Sequence, residues 1–190
     1  MTLPASAARL TPPLALVALL WGFAETTLFF VIPDVWIGRC ALRSRRAGLL
    51  AAGCALVGAL IGGSLLYGLS LHGHAALLAV FDRLPAISAA MIAGVGQQLT
   101  SLGAPGVVLG GFSGVPYKLY AAQAHAAGIG LPVFLGFTVI ARGLRFIVAA
   151  LLVGSLARVG TARIGARATA QAYVVLVVLG YAAYWTLMPN

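Results

Sequence analysis

Acidic residues are almost missing from this chain: Asp and Glu number 3 against 12 Lys and Arg, and charged residues make up 8% of the 190. Soluble domains carry about 25% charged residues, so the composition is not that of a protein folded in water. Too few carboxylates are present to build a two-metal site. None of the patterns HExxH, GxSxG or the phosphate-binding loop occurs. An enzyme is therefore not expected, nor a cofactor or a metal. Cysteine is scarce too. Cys40 lies among arginines and Cys54 lies in the next apolar run, with no CxxC or His-rich setting, so neither a disulfide nor a metal site is expected. The His72-x-His74 pair has no third ligand candidate close by. Low-complexity tracts, long linkers and soluble modules are also lacking. A nucleic-acid partner is thereby excluded despite the net charge of +9, because the basic residues sit between apolar runs rather than in one stripe. Near the start, Arg9 and the apolar 14–20 run faintly resemble a secretion signal. Glu25 and the Phe29-Phe30 pair leave no small-residue cleavage point, so cleavage is not expected.

What is present is hydrocarbon. Hydrophobic residues make up 62% and the mean hydropathy is +1.04. The whole chain, 1–190, reads as a single all-α membrane domain. Spanning a bilayer takes about 20 apolar residues, and three stretches supply them: 47–71, 131–154 and 168–188, the last closed by Tyr184 and Trp185 at an interface. Two further stretches are apolar but broken. The first, 14–38, contains Glu25 and the pair Pro33-Asp34; the second, 104–128, contains Pro105, Pro116 and Lys118 among glycines. Irregular backbone at membrane depth is tolerated only where protein buries it or a wet cavity accepts it. Both stretches are therefore expected to be re-entrant hairpins, broken at Pro33 and Pro116, with kinked full spans as the alternative. Between them, 77–103 reads as a short amphipathic pair at the outer surface, with Asp82 and Arg83 interfacial.

Arginines cluster at 39, 43, 45 and 46 and again at 158, 163 and 167. Positive charge favours the cytoplasmic side. Placing both clusters there makes the first hairpin enter and leave from the cytoplasm and the second from outside. The expected fold is thus an inverted repeat of re-entrant hairpin plus transmembrane helix, with an additional C-terminal transmembrane helix. Corresponding broken segments in two halves are a pointer to a transport site. Small residues recur as Gly58-x-x-x-Gly62, Gly106-x-x-x-Gly110 and Gly110-x-x-x-Gly114. They are read as internal packing, with a homo-oligomer as the alternative.

Glu25, Asp34, Lys118, Arg142 and Arg145 all fall at membrane depth, where a charge costs a few kcal/mol and usually pairs or serves function. Arg142 and Arg145 are three apart and share a helix face. Arg142 follows the start of its span by about 17 Å, near mid-membrane. One reading has Glu25 and Asp34 neutralise the two arginines as charge-pairing partners. Two acids against three bases leave a surplus that suits an anionic guest. Arg142 and Arg145 are then the bidentate phosphate binders and Lys118 a point charge, while Glu25 or Asp34 is a candidate proton carrier. His125, seven residues past Lys118, is read as a packing residue.

The Glu25…Pro33-Asp34 segment resembles the DedA family of the VTT (SNARE-associated) superfamily, in particular its small YqaA-like branch. So do Gly58-Ala-Leu-Ile-Gly62-Gly63-Ser-Leu-Leu-Tyr67-Gly68, Gly114-Val-Pro116-Tyr117-Lys118 and Ala141-Arg142-Gly143-Leu144-Arg145-Phe146. The resemblance runs over about residues 14–155 and rests on the order and spacing of these pieces. It implies two facing re-entrant hairpins, lipid movement across the bilayer, an acidic pair at Glu25 and Asp34, and a basic residue at Lys118, where many relatives carry arginine. An arginine common before the second proline is replaced here by Ser113 and Gly114, and Arg142 and Arg145 are the candidates to supply its charge. The expected function is a flippase or scramblase of the bacterial inner membrane, moving a phospholipid or polyprenyl phosphate, with protons as a second partner. Its head group would sit in the protein while the tails stay in the bilayer. A proton-coupled small-solute transporter and a non-transporting assembly subunit are the alternatives.

Overall fold

The computed structural model describes residues 10–28, 30–111 and 113–187. Among them every regular element is helical: α1 (Pro12–Thr27), α2 (Asp34–Ala41), α3 (Arg45–Phe81), α4 (Ala89–Leu102), α5 (Pro105–Gly110), α6 (Tyr117–Gln123), α7 (Leu131–Ile164) and α8 (Ala166–Leu187). Three of these, α3, α7 and α8, are long and apolar enough to cross a membrane. In hydrocarbon each backbone polar group needs an internal partner, and a helix supplies that by itself.

Local chemistry sets the boundaries. Ser44 caps α3 by accepting from the Ala47 amide at 3.0 Å, and Ser88 caps α4 by accepting from Met91 at 3.2 Å. Prolines open α1, α5 and α7 in their first turn, where a missing N–H is harmless. Gly103 and Gly165 stop α4 and α7 in the left-handed region (φ 63° and 84°), where other residues are strained.

The long elements exceed the expected spans. The helix expected over 47–71 runs to Phe81 as α3, passing one non-helical residue at Gly73, because the apolar helix formers after His74 continue the turn until Asp82. Residues 77–81 thus belong to α3, and the amphipathic pair expected over 77–103 reduces to α4. That helix is not merely superficial: it buries Val95 and Leu99 against α5 and α6, while Asp82 and Arg83 are exposed. The span expected over 131–154 continues to Ile164, so Arg158 and Arg163 ride on α7 rather than in a loop. At 34 residues α7 is about 51 Å long, well beyond a hydrocarbon core of about 30 Å. α8 matches the expected 168–188 closely; Met188 lies outside the described residues.

α1 lies along α3 through small residues. A Cβ on Gly58 would strike the Leu19 carbonyl, one on Gly22 the Ala55 carbonyl, and one on Gly62 would come within 3.0 Å of Thr26. This is the close approach that small-residue spacing permits, and it spends the Gly58/Gly62 pair inside the chain. Beyond Thr27 the chain reverses. Trp21 Nε1 donates to Val31 O at 2.8 Å, Trp36 Nε1 donates to Leu14 O at 3.1 Å, and the two indoles stack at 5.8 Å. These bonds hold α2 antiparallel to α1 as a hairpin.

Two apolar clusters flank the middle of the molecule. One joins Ala18, Ile37, Ala51, Ala55, Phe146 and Ala150; the other joins Leu66, Tyr67, Leu99, Leu119, Tyr120 and Phe134. Along α7 the polar residues Thr138, Arg142 and Arg145 fall between the Phe134 end and the Phe146–Ala150 end. The fold therefore puts its charges in the seam between two cores.

Candidate functional site

Glu25 sits in the last turn of α1 and is 7% exposed. Opposite it on α7 stands Arg142, 3% exposed, whose Nη2 donates to Glu25 Oε2. The guanidinium is gripped by aromatics: its Cζ lies 4.5 Å from the Tyr117 ring centroid and 5.3 Å from that of Phe146. Arg142 Nε has no hydrogen-bond partner among the described residues. Tyr117 is itself fixed. Thr138 spends its hydroxyl proton on Phe134 O at 2.9 Å, so the Tyr117 hydroxyl, 2.8 Å away, is the donor to Thr138.

One helical turn further, Arg145 Nη2 donates to Asp34 Oδ2 at 2.8 Å. Asp34 is the first residue of α2, directly after Pro33, which stands at the N-cap. This second pair is less buried than the first, with side chains 28% and 17% exposed against 4% and 9%. The i, i+3 spacing on α7 thus hands one arginine to each arm of the first hairpin.

The second broken segment repeats the arrangement. Pro116 stands at the N-cap of α6, and Lys118 follows in its first turn, buried at 1% exposure. Its Nζ lies 4.3 Å from the centroid of Phe30, a residue of the first break. The two breaks therefore touch. All five ionisable residues singled out in the sequence, Glu25, Asp34, Lys118, Arg142 and Arg145, line one cavity of about 520 Å³. That volume falls within the range of small-molecule sites.

The sequence reading pointed to these charges but left their partners open; the geometry pairs Glu25 with Arg142 and Asp34 with Arg145. His125 is not part of the site: α6 ends at Gln123, and the exposed His125 ring packs edge-on to Tyr67 at 5.7 Å. His72 and His74 bond elsewhere, to Gly68 O and to Ser70 and Ala122 O.

The sequence reading missed one wall entirely. Tyr173, Tyr181 and Tyr184 of α8 line the cavity. The Ile32 amide donates to the Tyr181 hydroxyl at 2.8 Å, and the Tyr173 hydroxyl donates to Val35 O at 2.8 Å. The available signal was the eight-residue spacing of Tyr173 and Tyr181, which puts both on one helix face. The Tyr181 phenol serves a backbone amide in the first break, and the Tyr173 phenol holds the first turn of α2.

No family model, curated protein or solved structure matches this chain.

Proposed function

We propose that this chain is a lipid transporter of DedA type in the bacterial inner membrane. It would move a phosphate-bearing lipid, a phospholipid or polyprenyl phosphate, past a charged cavity at the meeting point of two re-entrant hairpins. The observation that carries the reading is the collection of Glu25, Asp34, Lys118, Arg142 and Arg145, drawn from α1, α2, α6 and α7, around one cavity in an otherwise apolar chain. Gathering charges away from water costs several kcal/mol per ion, and charges at membrane depth generally mark a substrate or ion path.

Element lengths support the hairpin reading. α1, with 16 residues, is about 24 Å long, while α5 and α6, with 6 and 7, are about 9–11 Å. None reaches across about 30 Å of hydrocarbon by itself. Contacts between elements follow an inverted repeat in part: α1 packs on α3 as α5 packs on α7, and α2 packs on α7 as α6 packs on α3, although α2 also packs on α3.

In this mechanism the less buried Arg145–Asp34 pair is the one that opens. A phosphate replaces the Asp34 carboxylate on Arg145, exchanging one anion for another, and two of its oxygens take the guanidinium fork where Asp34 made a single bond. Lys118 adds positive charge from the opposite hairpin. The buried Glu25–Arg142 pair holds the hairpin on α7 during the exchange. Protonating Asp34 releases Arg145 toward phosphate, which gives a route for proton coupling.

The test is translocation of labelled phospholipid and labelled polyprenyl phosphate in proteoliposomes, with wild type, Glu25→Gln and Arg145→Gln. Movement of either lipid that Arg145→Gln abolishes in folded protein supports the assignment. Full movement in Arg145→Gln removes that residue from the site, and no movement in wild type overturns the reading. One observation favours a second reading, a non-transporting assembly subunit: both carboxylates are already occupied by arginines. That reading expects stable co-purification with a larger complex.

A further inference from the structure

The cavity does not stop at its charges. Beyond Arg145 it continues between α7 and α8, past Ala149, Leu152 and Val153 on one side and Leu176, Val177 and Gly180 on the other. From Arg145 to Leu152 is about 10 Å of helix rise. Leu152 and Leu176, both lining residues, are 57% and 69% exposed. In a protein surrounded by hydrocarbon, that exposure is exposure to lipid tails. The cavity thus has a charged inner end and an apolar cleft that opens sideways.

α8 is held in an unusual way. None of its described side chains is buried; those that face the rest of the protein are only partly covered. It joins α7 through Gly165 and is pinned to the first hairpin by the Tyr173 and Tyr181 phenols. The helix is a wall with one face on the cavity and the rest toward the bilayer.

We propose that the α7–α8 cleft is the lateral port of the transport site. A lipid phosphate sits at the charged end, and its hydrocarbon chain leaves between Leu152 and Leu176 into the bilayer. This inference rests on the proposed function and adds where the ligand enters and which residues its chain touches. The amphiphile fits because charge and apolar surface are joined in one cavity: a free phosphate leaves the cleft empty, and a plain hydrocarbon leaves the charges unused. Lipid tails are as apolar as the cleft lining, so the cleft sets the path of the chain rather than binding strength. The tyrosine tethers set the width of the opening.

The experiment uses the full chain in lipid nanodiscs with an alkyl phosphate carrying a photoactivatable diazirine a few carbons from the phosphate. Adducts are mapped by mass spectrometry, with and without excess unlabelled alkyl phosphate. The expected result is label on the cleft residues of both α7 and α8, competed by the unlabelled compound. Gly180→Trp should lower it at least fivefold. Gly180 lines the cleft and a Cβ there meets open space, so the indole is directed into the cleft from its wall. Gly53→Trp, at an equally open position on α3, should leave the labelling unchanged. Competed label confined to outward residues such as Val148, Val175 and Leu179, and insensitive to Gly180→Trp, overturns the port but leaves the phosphate site standing. Label that unlabelled alkyl phosphate does not compete overturns the phosphate site and the port with it.

Discussion

Replacing Glu25 with glutamine leaves the Arg142 guanidinium buried without its counter-charge, and the structure sets the scale of the penalty. The Arg142 and Glu25 side chains are 4% and 9% exposed. Removing one partner of a pair buried to this degree costs about 3–5 kcal/mol. Asp34→Asn breaks the companion pair, whose side chains are 17% and 28% exposed. Burial is less complete there, so its cost should be smaller. Equilibrium unfolding in mixed detergent micelles should therefore rank Glu25→Gln well below Asp34→Asn in stability. Adding Arg142→Met to Glu25→Gln removes both charges and keeps an unbranched side chain between Tyr117 and Phe146, so most of the loss should be recovered. Equal costs for the two single variants, or a double variant as unstable as the sum of its parts, would refute the argument. The repaired double variant also tests the division of labour between the two pairs. If Glu25 and Arg142 only hold the hairpin, it folds and still moves lipid; loss of lipid movement from the folded double variant would place that pair in the transport step itself.

The remaining expectations concern packing and tethers. Gly58→Ala drives a Cβ into the Leu19 carbonyl and should destabilise by about 1–3 kcal/mol. Gly53→Ala, which meets nothing within 4 Å, should stabilise by about 0.5–1 kcal/mol, both read by thermal unfolding in detergent. Trp36→Phe removes the donor to Leu14 O and should cost about 1 kcal/mol; hydrogen exchange should show faster opening of α2 with α7 unaffected. Tyr181→Phe removes the acceptor of the Ile32 amide, so that amide should exchange faster, and a cysteine placed at Val177 should become more reactive to a membrane-permeant thiol reagent.

Much of the architecture was legible in the chain because membranes impose simple rules. A run such as 168–188 has few alternatives to a helix once water is absent, and α8 matches it within two residues at its start. Pro33 and Pro116 marked the breaks, and each stands where a new helix begins. The five charges were conspicuous against so apolar a background. Helix ends were less legible. The stretch after His74 is short and apolar, so nothing in its pattern distinguishes an interfacial piece from seven more residues of α3; only packing of Phe81 into the core decides it.

Partner choice was a tertiary matter throughout. The sequence by itself determined that two acids and three bases would sit among hydrocarbon and must find one another or a ligand. It could not determine that Glu25 meets Arg142 and Asp34 meets Arg145, because that depends on how two hairpin arms are laid against α7. Nor could it show that Lys118 reaches Phe30 across the two breaks, or that α8 closes the cavity with its tyrosines. Those contacts join residues more than 80 positions apart, and local hydropathy carries no information about them. The physical reason is that a bilayer dictates which segments are helices, while small-residue contacts and buried ion pairs dictate how those helices are arranged.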